Sequence, residues 1–284
     1  MKNIEITKIK EKIKQLIVKA SFNLPEDIRE ALEEAYNTEP NTTARKILYY
    51  ILENEKISRK ESLPLCQDCG SVYINILVGK NICIQGDNLN RMANEAIAEV
   101  YSEYYLRKSI VDDPLYLREN TGNNNPAILD IGYFDGDGID IEVCLKGGGS
   151  ENCSYLFMLN PSTTEAEIVE VICRMVKENV SKCCPPVIMG IGLGSTASGV
   201  VKLARKASFR NVRERNKNRD YKKLEKKILD RVNQLDIGPQ GLGGKTTALA
   251  CNIEYAPCHM ATLPMALFLG CHSLRRACSK ISPP

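Results

Sequence analysis

Apolar residues at Ile9, Ile13, Leu16, Ile17 and Ala20 recur with the period of a helix that buries one face. Pro25, followed by Glu26 and Asp27, makes a second helix start, which leads to a stripe of Ile28, Ala31, Leu32 and Ala35. Asn41 or Thr42 can cap a third helix, whose buried stripe is Ile47, Leu48, Ile51 and Leu52. After Pro64 the pattern changes to alternation, with Val72, Ile74 and Ile76 on one face of a strand. Further along, the pattern predicts helices over 89–106 and 163–180 and strands over 127–133 and 139–145, while 248–253 and 265–269 are short apolar runs. The charged run 210–231 reads as a solvated helix with Leu224, Ile228 and Val232 underneath. The fold class is therefore α+β: a helical N-terminal region, 1–62, followed by a mixed α/β body, 63–284, with no internal repeat and no low-complexity linker.

Composition narrows the setting. With 284 residues, 43% of them apolar, the chain can fill a real core. Its 38 basic and 35 acidic residues leave a formal charge of +3, so no bulk attraction to nucleic acid is expected. The first 24 residues alternate lysines with isoleucines and form neither a signal peptide nor a membrane span, which makes a cytoplasmic protein the expectation. In a reducing compartment its 12 cysteines are ligands, catalytic groups or small buried residues. Cys144, Cys153, Cys173 and Cys251 lie inside apolar runs and are read as packing. The presence of only two histidines, His259 and His272, argues against a histidine-rich zinc site.

Cysteine also marks the most punctuated stretch of the chain, 182–196. There Cys183 and Cys184 precede Pro185 and Pro186, an apolar run of strand length follows, and glycines then open a helix. Cys66, before Gln67 and Asp68, and Cys271, before His272, sit in comparable places, and three thiolates gathered from distant positions would form a metal cluster rather than a disulfide framework. Lys146-Gly147-Gly148-Gly149 is either a plain turn or a run of bare N–H groups able to approach an anion. The stretch 238–246 looks like a nucleotide-binding P-loop, but the spacing would require glycine at position 239, where Pro239 stands. Cys66 and Cys69 form a C-x-x-C without the partners of a zinc site or the context of a redox dithiol.

At these residues the chain resembles the class I, iron-sulfur dependent fumarate hydratases and the related tartrate dehydratases, and among them the separate α subunit. The matching segments run in the family's order from 64 to 276: Pro64-Leu65-Cys66-Gln67-Asp68, Leu106-Arg107-Lys108-Ser109, Asn120-Thr121-Gly122-Asn123-Asn124, Lys146 to Asn152, Cys184-Pro185-Pro186, Gly238-Pro239 with Gly241 to Thr247, His259, and Cys271-His272. The resemblance implies that Cys66, Cys184 and Cys271 ligate a 4Fe-4S cluster and leave one iron open. It further implies a proton relay of Asp68 and His259, with Gln67, Asp68, Arg107, Gly147 and Gly148 binding a small dicarboxylate. Reversible dehydration of (S)-malate to fumarate is the reaction it implies first, and dehydration of L(+)-tartrate second. From a different class, a non-catalytic metal-binding scaffold is the alternative. A separate β subunit would complete the site, in an α2β2 assembly built on an α–α dimer, since nothing of the family's swivelling portion follows Pro284. Neither a nucleic acid nor a membrane partner is implied. The chain departs from the family pattern at Cys69, at Cys183, and on the helix at Ala96-Ile97-Ala98, where a basic residue is expected.

Overall fold

The computed structural model describes residues 2–283. A short strand, β1 (Lys2–Glu5), precedes three helices, α1 (Ile6–Phe22), α2 (Glu26–Thr38) and α3 (Thr42–Glu61). Strands β2 (Ser71–Gly79) and β3 (Ile82–Gln85) lead to α4 (Leu89–Glu103), then β4 (Ile128–Phe134) and β5 (Ile139–Lys146). A single turn, α5 (Gly148–Glu151), is followed by β6 (Ser154–Leu159), α6 (Glu165–Asn179) and β7 (Val187–Gly194). The chain closes with α7 (Ala197–Phe209), α8 (Arg219–Asn233), β8 (Ala248–Ala256), β9 (Leu263–Gly270) and β10 (Arg275–Ile281). This is the mixed α/β fold with a helical N-terminal region that the pattern predicts. Among the described residues no helix is long and apolar enough to cross a membrane.

Two compact units result. The first comprises 1–25, 55–148 and 275–284, and its sheet has the order β10-β5-β2-β4. Strand β5 is antiparallel to both β10 and β2, whereas β4 is parallel to β2. Helix α1 lies on this sheet, and Ile9, Ile13 and Ile17 are wholly buried as their spacing requires. Each such side chain contributes roughly 1.5–3 kcal/mol by leaving water. Lys10 also reaches Glu95 (3.0 Å) and Glu99 (2.7 Å) on α4, but half-exposed ion pairs add little beside the apolar contact.

The second unit comprises 26–54 and 149–274, with a sheet ordered β6-β9-β7-β8. Strand β9 is antiparallel to β6 and β7, and β8 is parallel to β7. All eight residues of β7 are buried, and α7 rests directly on it. Its Gly190 and Gly192 allow this closeness, since a Cβ there would stand 2.3 Å from the carbonyl oxygen of Ala204 or of Val200.

The expected helix over 210–231 starts later than the charge pattern predicts. The Asn211 side chain accepts the Arg213 N–H (2.8 Å) and that of Asn216 accepts the Asn218 N–H (2.9 Å), local turns that compete with helix. Helix α8 begins only where Asn218 caps it, over the predicted Leu224, Ile228 and Val232. Arg210, expected in solvent, instead binds Glu225, Glu254 (3.0 Å), Asn252 Oδ1 (3.2 Å) and the Ile253 carbonyl (3.1 Å). The third helix is capped by Asn41, which accepts the Ala44 N–H at 3.0 Å.

Candidate active site

Strand direction decides which loops meet. In the first unit Ser71, the start of β2, pairs with Lys146, the end of antiparallel β5. The loop before β2 and the glycine run after β5 therefore emerge at one sheet end. Asp68 stands between them. Its Oδ2 accepts the Gly148 N–H at 2.7 Å, and its Oδ1 accepts the Gly70 N–H at 3.0 Å and the Ser109 hydroxyl at 3.4 Å. The glycine run thus does bind an anion, and the anion is a side chain of the same unit. Because Gly148 N–H is engaged in this way, its contribution passes through Asp68. A Cβ on Gly147 would lie 2.9 Å from Asp68 Oδ2, so a bare backbone is needed there.

Arg107 is brought to the same place by its own main chain, whose N–H donates to Cys69 Sγ at 3.3 Å. The Arg107 side chain is exposed, as is that of Gln67, so both are free to meet a solute. Asn124 explains the Asn-rich motif around it. Wholly buried, it donates to the Gly70 carbonyl (3.0 Å) and accepts the Ser109 N–H (2.8 Å), tying the Asp68 loop to the Arg107 loop. The Tyr101 hydroxyl donates to the Cys69 and Gly70 carbonyls (3.0 and 3.2 Å), and burial raises its pKa, so it stays a donor.

The second unit gathers its cysteines by the same logic. Ile188 of β7 pairs with Gly270 of antiparallel β9, so Cys184, just before β7, and Cys271, just after β9, leave the sheet together. The His272 N–H donates to the Cys184 carbonyl (3.3 Å), and the Cys271 N–H donates to Ser150 Oγ (3.1 Å). Cys184 is exposed on a left-handed residue, φ 53°, after a short 3-10 turn, and Cys271 is half-buried. Their neighbours differ. Cys183 is buried, with its thiol donating to the Leu269 carbonyl (3.2 Å). Interaction with Cys153 and then burial push its pKa far up. Cys69 is buried too, and burial raises its pKa. Cys144, Cys153 and Cys251 pack as predicted, while Cys173 is only half-buried.

Of the predicted site residues, Gln67, Asp68, Arg107, Gly147 and Gly148 converge in the first unit and Cys184 with Cys271 in the second. Cys66 is half-buried in the first unit, and His259 is exposed in the second, with its Nδ1 accepting the Ala261 N–H at 3.1 Å. Among the described residues no three His, Cys, Asp or Glu side chains stand close enough to hold a metal ion.

The P-loop-like stretch forms no phosphate cradle. It enters from helix α8 through a 3-10 turn, Pro239–Gly241, and two of its amides already face a carboxylate. Lys245 N–H donates to Glu39 Oε1 (3.1 Å), and Thr246 gives its N–H and hydroxyl to Oε2 (3.1 and 3.0 Å). Burial alone would raise the Glu39 pKa, but these bonds and one from Asn41 N–H outweigh it and hold the carboxyl below its ordinary value. Glu39 lies in a turn between helices and carries no motif. A run of spare amides with no phosphate to bind was the one signal that an internal anion existed.

Comparison with known proteins identifies the family. The family model described as fumarate hydratase (Fumerase) matches residues 10–280. A Methanocaldococcus jannaschii protein provisionally named L(+)-tartrate dehydratase subunit alpha is 38% identical over 280 residues, covering 96% of this chain and 98% of its own. The L(+)-tartrate dehydratase subunit alpha of Escherichia coli K12 is 28% identical over 277 residues, covering 95% of this chain and 90% of its own. The chain belongs to the fumarate hydratase family and is a hydro-lyase.

Proposed function

We propose that the chain is the cluster-bearing α subunit of a two-subunit hydro-lyase that interconverts (S)-malate and fumarate. The observation that carries this reading is the half-exposed Asp68 carboxylate, fixed by the Gly148 and Gly70 amides beside the exposed Gln67 and Arg107. The thiols suit a 4Fe-4S cluster. Cys66, Cys184 and Cys271 are the accessible members of their segments, whereas Cys69 and Cys183 are buried with their sulfurs hydrogen-bonded. When bound, the cluster supplies an open iron, a Lewis acid for the substrate's carboxylate and hydroxyl.

This chain's own residues bind and move protons. The guanidinium of Arg107 can grip a carboxylate with two parallel hydrogen bonds, and Gln67 and the Gly147 amide add neutral donors. Asp68, held at both oxygens, would in its protonated form give a proton to the departing hydroxyl and be reprotonated through His259. A separate β subunit, consistent with the "subunit alpha" names of the relatives, supplies further cationic groups and the base for the carbon-bound proton, within an α2β2 assembly. Twelve free cysteines suit a reducing, cytoplasmic setting.

A second reading, L(+)-tartrate as substrate, is favoured by the names of those same relatives. The test is anaerobic reconstitution with iron and sulfide, then initial rates on malate and tartrate before and after adding the candidate β chain. We expect about four irons per chain, by the cluster type, no turnover by the chain alone, and turnover of malate with the partner. Preference for tartrate selects the second reading, and stoichiometric zinc without activity would support a scaffold. Cys66→Ser, Cys184→Ser and Cys271→Ser should each lose iron, while Cys69→Ser and Cys183→Ser keep it.

A further inference from the structure

The glycine-rich stretch 238–247 is left without a task once the P-loop reading is set aside. Strand β8 begins at Ala248 and runs parallel to β7, so this loop lies at the sheet end where Cys184 and Cys271 emerge. Its contacts are specific. The Gln240 main-chain N–H donates to the Pro185 carbonyl at 2.8 Å, and its side-chain amide donates to the same oxygen at 3.1 Å. That amide nitrogen also stands 3.2 Å from His272 Nδ1. His272 Nδ1 lies 2.9 Å from the Cys184 carbonyl. A carbonyl oxygen only accepts, so Nδ1 carries the proton in that bond, and the Gln240 amide packs against the ring while donating to Pro185. One side chain thus touches the residue after Cys184 and the residue after Cys271.

The far end of the loop is fixed as firmly. Glu39 holds the amides of Lys245 and Thr246, and buried Thr247 accepts the Gly238 N–H (3.1 Å) and receives the Val187 N–H at its carbonyl (2.9 Å). Gln240 itself is held left-handed, at φ 55° and ψ 15°.

We propose that this loop is a brace, with Gln240 as a positioning residue that sets Cys184 and Cys271 at their ligating separation, and with Glu39 as the internal anion that locks it. The proposal rests on the reading that both cysteines hold the cluster, but the brace itself can be read in the metal-free protein. The experiment compares wild type with Gln240→Gly, which removes the side chain and keeps the left-handed backbone accessible. Amide hydrogen exchange at His272, whose N–H bonds the Cys184 carbonyl, is measured in apo-protein, together with alkylation of each cysteine by iodoacetamide followed by mass spectrometry. In Gln240→Gly, His272 exchange and the alkylation of half-buried Cys271 should each rise about tenfold, the effect of losing roughly one well-placed hydrogen bond, while Cys184, already exposed, serves as the reactive reference. Buried Cys251 should stay unreactive, which separates loss of the brace from loss of the fold. In reconstituted protein, iron release to an anaerobic chelator should quicken by a similar factor. Should Gln240→Gly not fold, Gln240→Asn, which tolerates the same backbone and falls one methylene short, gives the same comparison. Unchanged His272 exchange and Cys271 reactivity in a folded variant overturn the brace. A wild-type protein that binds no iron overturns the cluster reading and leaves the apo result to stand by itself.

Discussion

The two four-stranded sheets repeat one plan, although no repeat is visible in the sequence. Central β2 has parallel β4 on one side and antiparallel β5 on the other, with β10 beyond it. Central β7 has parallel β8, antiparallel β9 and then β6 in the same places. The outer strands are exchanged along the chain: β6 follows β5 yet joins the second sheet, and β10 follows β9 yet joins the first. Each plan presents a glycine-rich turn to a carboxylate of its own unit, and there the likeness ends. Glu39 is 3% exposed and takes bonds from the Asn41, Lys245 and Thr246 amides and the Thr246 hydroxyl. Asp68 keeps an accessible side and stands among exposed polar side chains. The same pairing of amides with a carboxylate is shut away from water at Glu39 and left open to it at Asp68.

Asp68→Asn should break the comparison most visibly. The amide keeps an oxygen for the Gly148 N–H but cannot cycle a proton, so kcat of the assembled enzyme should fall about 10²–10⁴-fold. The melting temperature should stay within about 2 °C, as for a substitution outside the core. Retention of full turnover would place Asp68 with Glu39 as a structural group. Glu39→Ala should do the reverse, taking the carboxylate acceptor from the Asn41, Lys245 and Thr246 amides and costing about 2–4 kcal/mol in urea unfolding.

A smaller step is Gly147→Ala. Its new methyl presses on Asp68 Oδ2, and kcat should drop about tenfold through misplacement of the carboxylate while thermal stability holds. The smallest effect is a pH dependence. The Glu39 carboxyl lies below its ordinary value of 4.5 in the folded protein, so its contribution is complete above that value and fades as pH falls through the native pKa. Unfolding free energies measured from pH 6 to 3 should therefore decline less steeply in Glu39→Gln than in wild type.

Much of this was legible in the chain itself. Helix α1 follows from its buried stripe and β2 from its alternation, whereas the bond from the Gly148 amide to Asp68 was not foreseen, because the glycine run alone reads only as an anion site or a plain turn. Glu39 was not legible, because its partners are some two hundred positions away and its own surroundings are an ordinary interhelical turn. Nor was Arg210, which local charge density marks as a surface residue while Glu225 and Asn252 hold it half-buried. Strand β1 is four residues long and pairs with β3 alone, too short for any period to show. In each case the missing information is a distant partner, which no window on the sequence contains.

Gly190 and Gly192, where α7 lies against β7, bear on how this chain can change over generations. Every single-base change in a glycine codon that alters the residue installs a side chain, and at these two positions even a methyl meets backbone at 2.3 Å. The strand that carries Cys184 into the sheet is thereby closed to stepwise drift at two of its eight places, and variation that adjusts the enzyme to a new substrate must enter through its loops instead.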